Sequence, residues 1–208
     1  MTLVTGISDK NKNNKRIKLE NGIALVLYKG DFRTYQIAEG EEIPEKEYED
    51  IFHVLLPKRA LDRSYKLLLS KDYTEKQIRE KLSKDEYPEE IVSKTVEKLK
   101  EQKYINDERY TENFIFWKAG SKSKRRMMSD LYAKGISGEE AEEAYQKLLS
   151  QNDIDSEESV ASVFLRKKGF DAKNATFEEK EKMKQTLLRK VFSFDTVNRL
   201  IGRTEWSE

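Results

Sequence analysis

The stretch TEKQIREKLSKDEYPEEIVSKTVEKL, residues 74–99, carries a frame of Ile78, Leu82, Tyr87, Val92, Thr95, Val96 and Leu99. Forty-nine residues on, the same frame reads Met127, Leu131, Ile136, Ala141, Ala144, Tyr145 and Leu148. A shift of 105 recovers six of the seven, Met183, Leu187, Phe192, Val197, Leu200 and Ile201, and puts Thr204 in the last place. A spacing of +4, +5, +5, +3, +1 held three times marks one helical unit in three copies. Such copies each bury one apolar face and stack into an elongated array, which offers a long surface to a long partner.

Working outward, Leu61, Tyr65, Leu68 and Leu69 form a helical stripe over about residues 58–70. Thr74 with Gln77 reads as a capping box for the helix of Ile78 and Leu82, and Pro88 suits the first turn of the next. In the second copy Tyr110, Phe114 and Trp117 match Leu61, Tyr65 and Leu68, and Gly120 ends the helix. Ser121 or Ser123 starts the following helix, Gly135 stops it, and Ser137 with Glu140 caps the third. In the third copy Val160 and Phe164 open a helix ended by Gly169, Thr176 with Glu179 caps a second, and Ser193 begins a third. Its first loop is longer by six residues. The divisions that follow are a β region and linker at 1–57 and three-helix repeats at 58–104, 105–152 and 153–208.

Residues 1–57 read differently. Lys15 to Glu20 alternates polar and apolar, Ile23 to Tyr28 is β-compatible, and Asn21-Gly22 between them suits a two-residue hairpin turn. Val4 to Ser8 supplies a third strand, with Asp9 to Asn14 as a solvated loop. The fold class is mainly α, three tandem three-helix modules preceded by a small antiparallel sheet that docks on the first helices.

Composition excludes several function classes. Of 208 residues 38% are charged, against roughly 25% in ordinary globular chains. The net charge is only +1, so binding of nucleic acid or a filament falls to local patches. Cysteine is absent, which removes disulfides and thiolate metal sites. The start of the chain lacks the features of a signal peptide, and Ile23 to Tyr28, its longest apolar run, is far short of the about 20 residues a membrane span needs. A soluble cytoplasmic monomer is expected.

No catalytic constellation, cofactor site or metal site is expected. His53, the single histidine, sits among Phe52, Val54, Leu55 and Leu56 and reads as a structural residue of the linker. Glu139 to Glu143 reads as a solvated helix face. Gly135-Ile136-Ser137-Gly138 is a helix-to-helix turn rather than a nucleotide cradle. The polar signal lies between Asn113 and Ser129, which holds Lys118, Lys122, Lys124, Arg125 and Arg126 and no acid. Arg125 and Arg126 near a helix start oppose the macrodipole, a placement suited to binding phosphate or carboxylate groups. Arg166-Lys167-Lys168 and Arg189-Lys190 are weaker clusters of the same kind. Tyr110, Phe114 and Trp117 offer a stacking platform for bases. Their counterparts Leu61, Tyr65 and Leu68 are core types, so core packing is favoured.

Tyr104-Ile105-Asn106-Asp107-Glu108-Arg109-Tyr110, followed by Leu131-Tyr132-Ala133-Lys134-Gly135-Ile136, resembles the signature of the RecX family, regulators of the RecA recombinase. The chain departs from the pattern at Asn106, where Asp is common; both cap helices well. The first copy has Asp85-Glu86-Tyr87 in place of the Lys-Gly-Ile ending. The resemblance extends to the N-terminal sheet of longer Gram-positive members. It implies a modular, non-enzymatic protein lying along the groove of the RecA–DNA filament, restraining recombinase, ATPase and coprotease activities in DNA repair and the SOS response. It makes Tyr104, Ile105, Asp107, Arg109, Tyr110, Leu131, Gly135 and Ile136 mostly structural and adds Lys134 to the candidate contacts. Single- or double-stranded DNA is a further candidate partner. The alternative is a helical module or transcriptional regulator that binds nucleic acid without RecA.

Overall fold

The computed structural model describes residues 1–202; Thr204 and Trp206 lie outside the described residues. Met1–Asn106 and the residues from Asp107 onward form two compact units.

In the first unit, strands β1 (Thr2–Asp9), β2 (Asn14–Leu19) and β3 (Ala24–Tyr28) pair antiparallel in the order β3-β2-β1, with the short β4 (Glu42–Ile43) on the far edge of β1. Alternation puts Val4, Ile17, Leu19, Leu25 and Leu27 on the buried face. Ile17 lies directly opposite Leu25. The Leu19 N–H donates to the Ile23 carbonyl at 2.9 Å, so the hairpin loop proper is Glu20, Asn21 and Gly22, three residues rather than the expected two. The Gly22 N–H donates to the Leu19 carbonyl, and only Gly22 has positive φ, 82°. Asn21 instead uses its side-chain oxygen to accept from the Ile23 N–H at 3.1 Å. That is a turn followed by a bulge, for which Asn-Gly is equally well suited.

Helix α1 (Lys29–Thr34) follows, and a second unexpected helical segment begins well before Pro57. Helix α2 (Glu45–Asp50), a π-helical turn (Ile51–Leu55) and α3 (Leu56–Leu68) run on without a break. In a regular helix the Pro57 ring would meet the carbonyl four residues back, and its missing N–H would leave that carbonyl unbonded. Widening the turn just before it accommodates both. The expected linker is therefore helix. His53 sits on its exposed side with Nε2 3.1 Å from Glu49.

Helices α4 (Glu75–Lys84) and α5 (Glu89–Glu101) complete the first trio. The second unit holds α6 (Asp107–Lys118), α7 (Lys124–Ala133) and α8 (Gly138–Ser150), then α9 (Glu157–Lys167), α10 (Phe177–Arg189) and α11 (Phe194–Ile201). Capping boxes form at Thr74/Gln77, Ser137/Glu140 and Thr176/Glu179, and Ser123, Ser156 and Ser193 cap the remaining starts in this unit for which a cap is seen. In the third trio the extra residues divide between a longer connector, 168–176, and a longer second helix, 13 residues in α10 against 10 in α7.

The repeated frame is the core. Its residues are buried, with Tyr87, Met183 and Leu200 half-buried, and Thr204 undescribed. Its +5 step has a local cause. Each second helix ends in one motif: Tyr87, Ile136 and Phe192 donate their N–H to the carbonyls of Leu82, Leu131 and Leu187 at 3.1–3.2 Å. The residue before each adopts positive φ: Glu86 69°, Gly135 95° and Val191 66°. This is a Schellman ending, in which the residue after the left-handed position packs back on the last turn. Both apolar partners are five apart for that reason.

The first helices keep a different register. Their fully buried pairs are Ala60 and Ser64, Thr111 and Ile115, and Ala161 and Leu165. Tyr110 and Phe114 are only half-buried, and Trp117 is 75% exposed, against the expected core role. Ile115 turns the inner face of α6 one residue away from that stripe, and Trp117 falls on the outer side. The loop to the second helix differs in length among the copies, so no fixed offset ties a first helix to the frame.

The sheet shares one hydrophobic core with the first trio. Polar clasps join them: Arg59 makes a bidentate pair with the buried Asp31 and lies 4.0 Å from the Tyr28 ring centre. Glu86 takes two bonds from Arg16 at 2.5 Å, and Lys10 approaches it at 3.3 Å. These contacts hold its carboxyl at a pKa of about 2, well below its ordinary 4.5. The hydrogen bond from Arg16 is the main cause.

Candidate functional site

The connector from α6 to α7 must turn the chain within residues 119–123, and Ser123 ends it by accepting the Arg126 N–H on its hydroxyl. This sets Lys124, Arg125 and Arg126 on the first turn of α7, with no acid beside them in that turn. The acid-free stretch nevertheless meets carboxylates through the fold. Lys122 pairs with Asp130, and Arg126 Nε lies 3.2 Å from the same carboxylate. The Lys122 hydrogen bond, then the charges of Lys122, Arg126 and Lys134, hold the Asp130 carboxyl below its usual range. Lys124 Nζ is 2.5 Å from Glu142 and 4.8 Å from the Tyr145 ring centre. Lys118 and Arg125 are exposed and have no carboxylate in ion-pair range among the described residues. Lys134 is the residue that closes α7.

Three basic stretches separated in sequence meet in one cleft of about 330 Å³ between the second and third trios. Lys122 and Arg126 come from the α6–α7 turn, Lys167 from the end of α9 and Lys190 from the end of α10. Asp130 is the counter-charge to the first two, and neither Lys167 nor Lys190 has a carboxylate partner among the described residues. The floor is apolar: Val160, Val163 and Phe164 from one face of α9, and Phe192. Lys190 Nζ lies 5.1 Å from the Phe164 ring centre, a cation–π contact that holds the amine over the floor. Arg166 and Lys168 flank Lys167 and do not line the cleft.

Val160, Val163, Phe164 and Phe192 are site residues that the sequence pattern did not mark as such: Val160 and Phe164 read only as opening a helix, Phe192 as part of the repeated frame, and Val163 carried no signal. A second cleft of the same unit, about 310 Å³, has the opposite sign, with Asp107, Glu108, Glu112, Glu140 and Glu143 around Lys147. The net charge of +1 thus conceals local segregation. The signature residues are largely structural in placement. Ile105, Leu131 and Ile136 are buried, Gly135 supplies the left-handed turn, and Tyr104 packs edge-on against Tyr65 at 5.2 Å. Asp107 opens α6, Tyr110 stacks on Phe114, and Arg109 is exposed.

Two family profiles match the helical trios: one described as "RecX, first three-helix domain" over residues 60–99, the other as "RecX, second three-helix domain" over 106–144. Both regions are similar to domains of the RecX family. The regulatory protein RecX of Bacillus velezensis is 27% identical over 210 residues, covering 99% of this chain and 79% of that protein. Its counterpart in Caldanaerobacter subterraneus subsp. tengcongensis is 28% identical over 204 residues, covering 97% of this chain and 100% of that one. A crystal structure of regulatory protein RecX superposes with a TM-score of 0.59 at 22% identity, over 97% of this chain and 98% of that chain. That last likeness is one of fold. Among the described residues no helix is long and apolar enough to cross a membrane.

Proposed function

We propose that this chain is a RecX-family protein and regulates the RecA recombinase by binding the RecA–DNA filament and restraining its recombinase, ATPase and coprotease activities. The observation that carries the reading is the convergence of Lys122, Arg126, Lys167 and Lys190 on one cleft in a chain of tandem trios. A filament repeats its surface, so modules linked in one chain engage it with high effective concentration once the first contact forms. Restraint then needs no chemistry from the regulator: holding neighbouring protomers together blocks their ATP-linked rearrangement. The test is a titration of the cognate RecA's DNA-dependent ATPase and strand exchange. Inhibition at or below stoichiometric protein is expected, and no effect at saturating protein would sink the reading.

A second reading, RecA-independent binding of single-stranded nucleic acid, draws support from Trp117. Its ring is 75% exposed, lies edge-on to Phe116 at 5.4 Å and is followed by Lys118, a combination suited to stacking on bases. Retention of a labelled oligonucleotide without RecA, lost in Trp117→Ala, separates it from the first.

A further inference from the structure

We infer that the cleft between the second and third trios takes a short acidic protein segment carrying an apolar anchor side chain, rather than a phosphodiester backbone. This rests on the cleft being the partner-binding site proposed above. Among the described residues four cations face a single carboxylate, Asp130, so the rim calls for added negative charge. Lys167 and Lys190 carry the unmet part of that demand.

The floor decides between carboxylate and phosphate partners. Val163 is 39% exposed, and beside it lie Val160 and Phe164. A phosphodiester chain lying there would cover these apolar surfaces with ionised oxygens and gain nothing from them. Base stacking is no substitute, because the Phe164 ring already has the Lys190 amine over it. A leucine or phenylalanine side chain set on the floor removes apolar area from water while glutamates on either side meet the lysines. A central apolar anchor inside a charged rim is the usual anatomy of a protein contact.

The probes are a short fluorescein-labelled peptide alternating glutamate with leucine, a glutamate–serine peptide of equal length and charge, and a labelled deoxythymidine oligomer. Anisotropy titrations are run on the full chain at low and raised salt. Expected is binding of the glutamate–leucine peptide about tenfold tighter than the glutamate–serine peptide, the factor given by about 1.4 kcal/mol of anchor burial. The double variant Lys167→Glu/Lys190→Glu weakens it by tenfold or more, and Val163→Ser lowers it toward the serine peptide. All three positions are exposed, so unchanged circular dichroism melts are expected. Equal binding of both peptides, peptide binding indifferent to both variants, or oligomer binding that alone responds to the double variant would overturn the inference. Cosedimentation with preformed RecA–DNA filaments judges the regulatory reading separately. Protein that takes the peptide as expected yet fails to sediment removes that reading and leaves the cleft's chemistry standing.

Discussion

Replacing Glu86 by glutamine keeps its size and removes the charge that clasps the sheet to the first trio. The carboxylate accepts both bonds from Arg16 and faces Lys10, and its pKa falls from 4.5 to about 2. A depression of that size corresponds to at most about 3 kcal/mol of preference for the charged form. The side chains of Arg16 and Glu86 are 37% and 28% accessible, and solvent screening reduces the figure to about 1–2 kcal/mol. The folded pKa lies below the unfolded one, so the stabilisation is present above about pH 4.5 and is lost as pH falls toward about 2. Urea unfolding followed by circular dichroism, with hydrogen exchange read on β2 peptides, measures it. Glu86→Gln is expected to be less stable than the parent at pH 7, with the gap closing as pH approaches 2. Glu86→Gly also loses the clasp but relieves the left-handed backbone, which costs a non-glycine residue about 1–2 kcal/mol, and should fall between the two. A gap that is absent at pH 7, or the same at pH 7 and pH 2, would refute the reasoning.

Val191 occupies the matching left-handed position in the third trio, an unfavourable place for a β-branched residue. Val191→Gly is expected to leave stability unchanged or raise it by up to about 1 kcal/mol in thermal melts, and a clear loss would contradict the strain argument. Leu131→Ala, at a fully buried frame position, should cost about 2–5 kcal/mol in urea titrations. Ser137→Ala breaks a capping box and should cost about 1 kcal/mol by the same measurement. Trp117→Ala should change stability by less than about 0.5 kcal/mol, and in a Trp206→Phe background the emission of Trp117 should be readily quenched by acrylamide.

The second and third helices of each trio were legible because their burial and their turn chemistry share one repeating interval. Tyr87, Ile136 and Phe192 are at once core residues and parts of the Schellman endings, so local and tertiary demands coincide there. The first helices lack this tie. On α6 apolar residues lie on several sides, and Thr111 and Ile115 win the inner face although Tyr110, Phe114 and Trp117 offer more area. The π turn was hidden because Pro57 reads as a helix start, whereas here the chain tolerates it inside a longer helix. At the candidate site each basic stretch was visible, but their meeting depends on how α9 and α10 pack. The neutralising role of Asp130 was within reach, since it stands four residues after Arg126 on the same helix.

The left-handed residue that ends each second helix also helps to fix the order of the copies. Gly135 serves only the turn, whereas Glu86 serves the turn and reaches across to Arg16 and Lys10. A chain with the second trio transplanted into the first position would keep its apolar frame and its capping. It would meet the sheet with a hydrogen atom where a carboxylate is required, leaving two cations stranded at the seam. Modules cast from one pattern differ here in a turn residue, as they do at Arg59 on the first helix, which clasps Asp31. The address of the first copy is written there, outside the core that all three share.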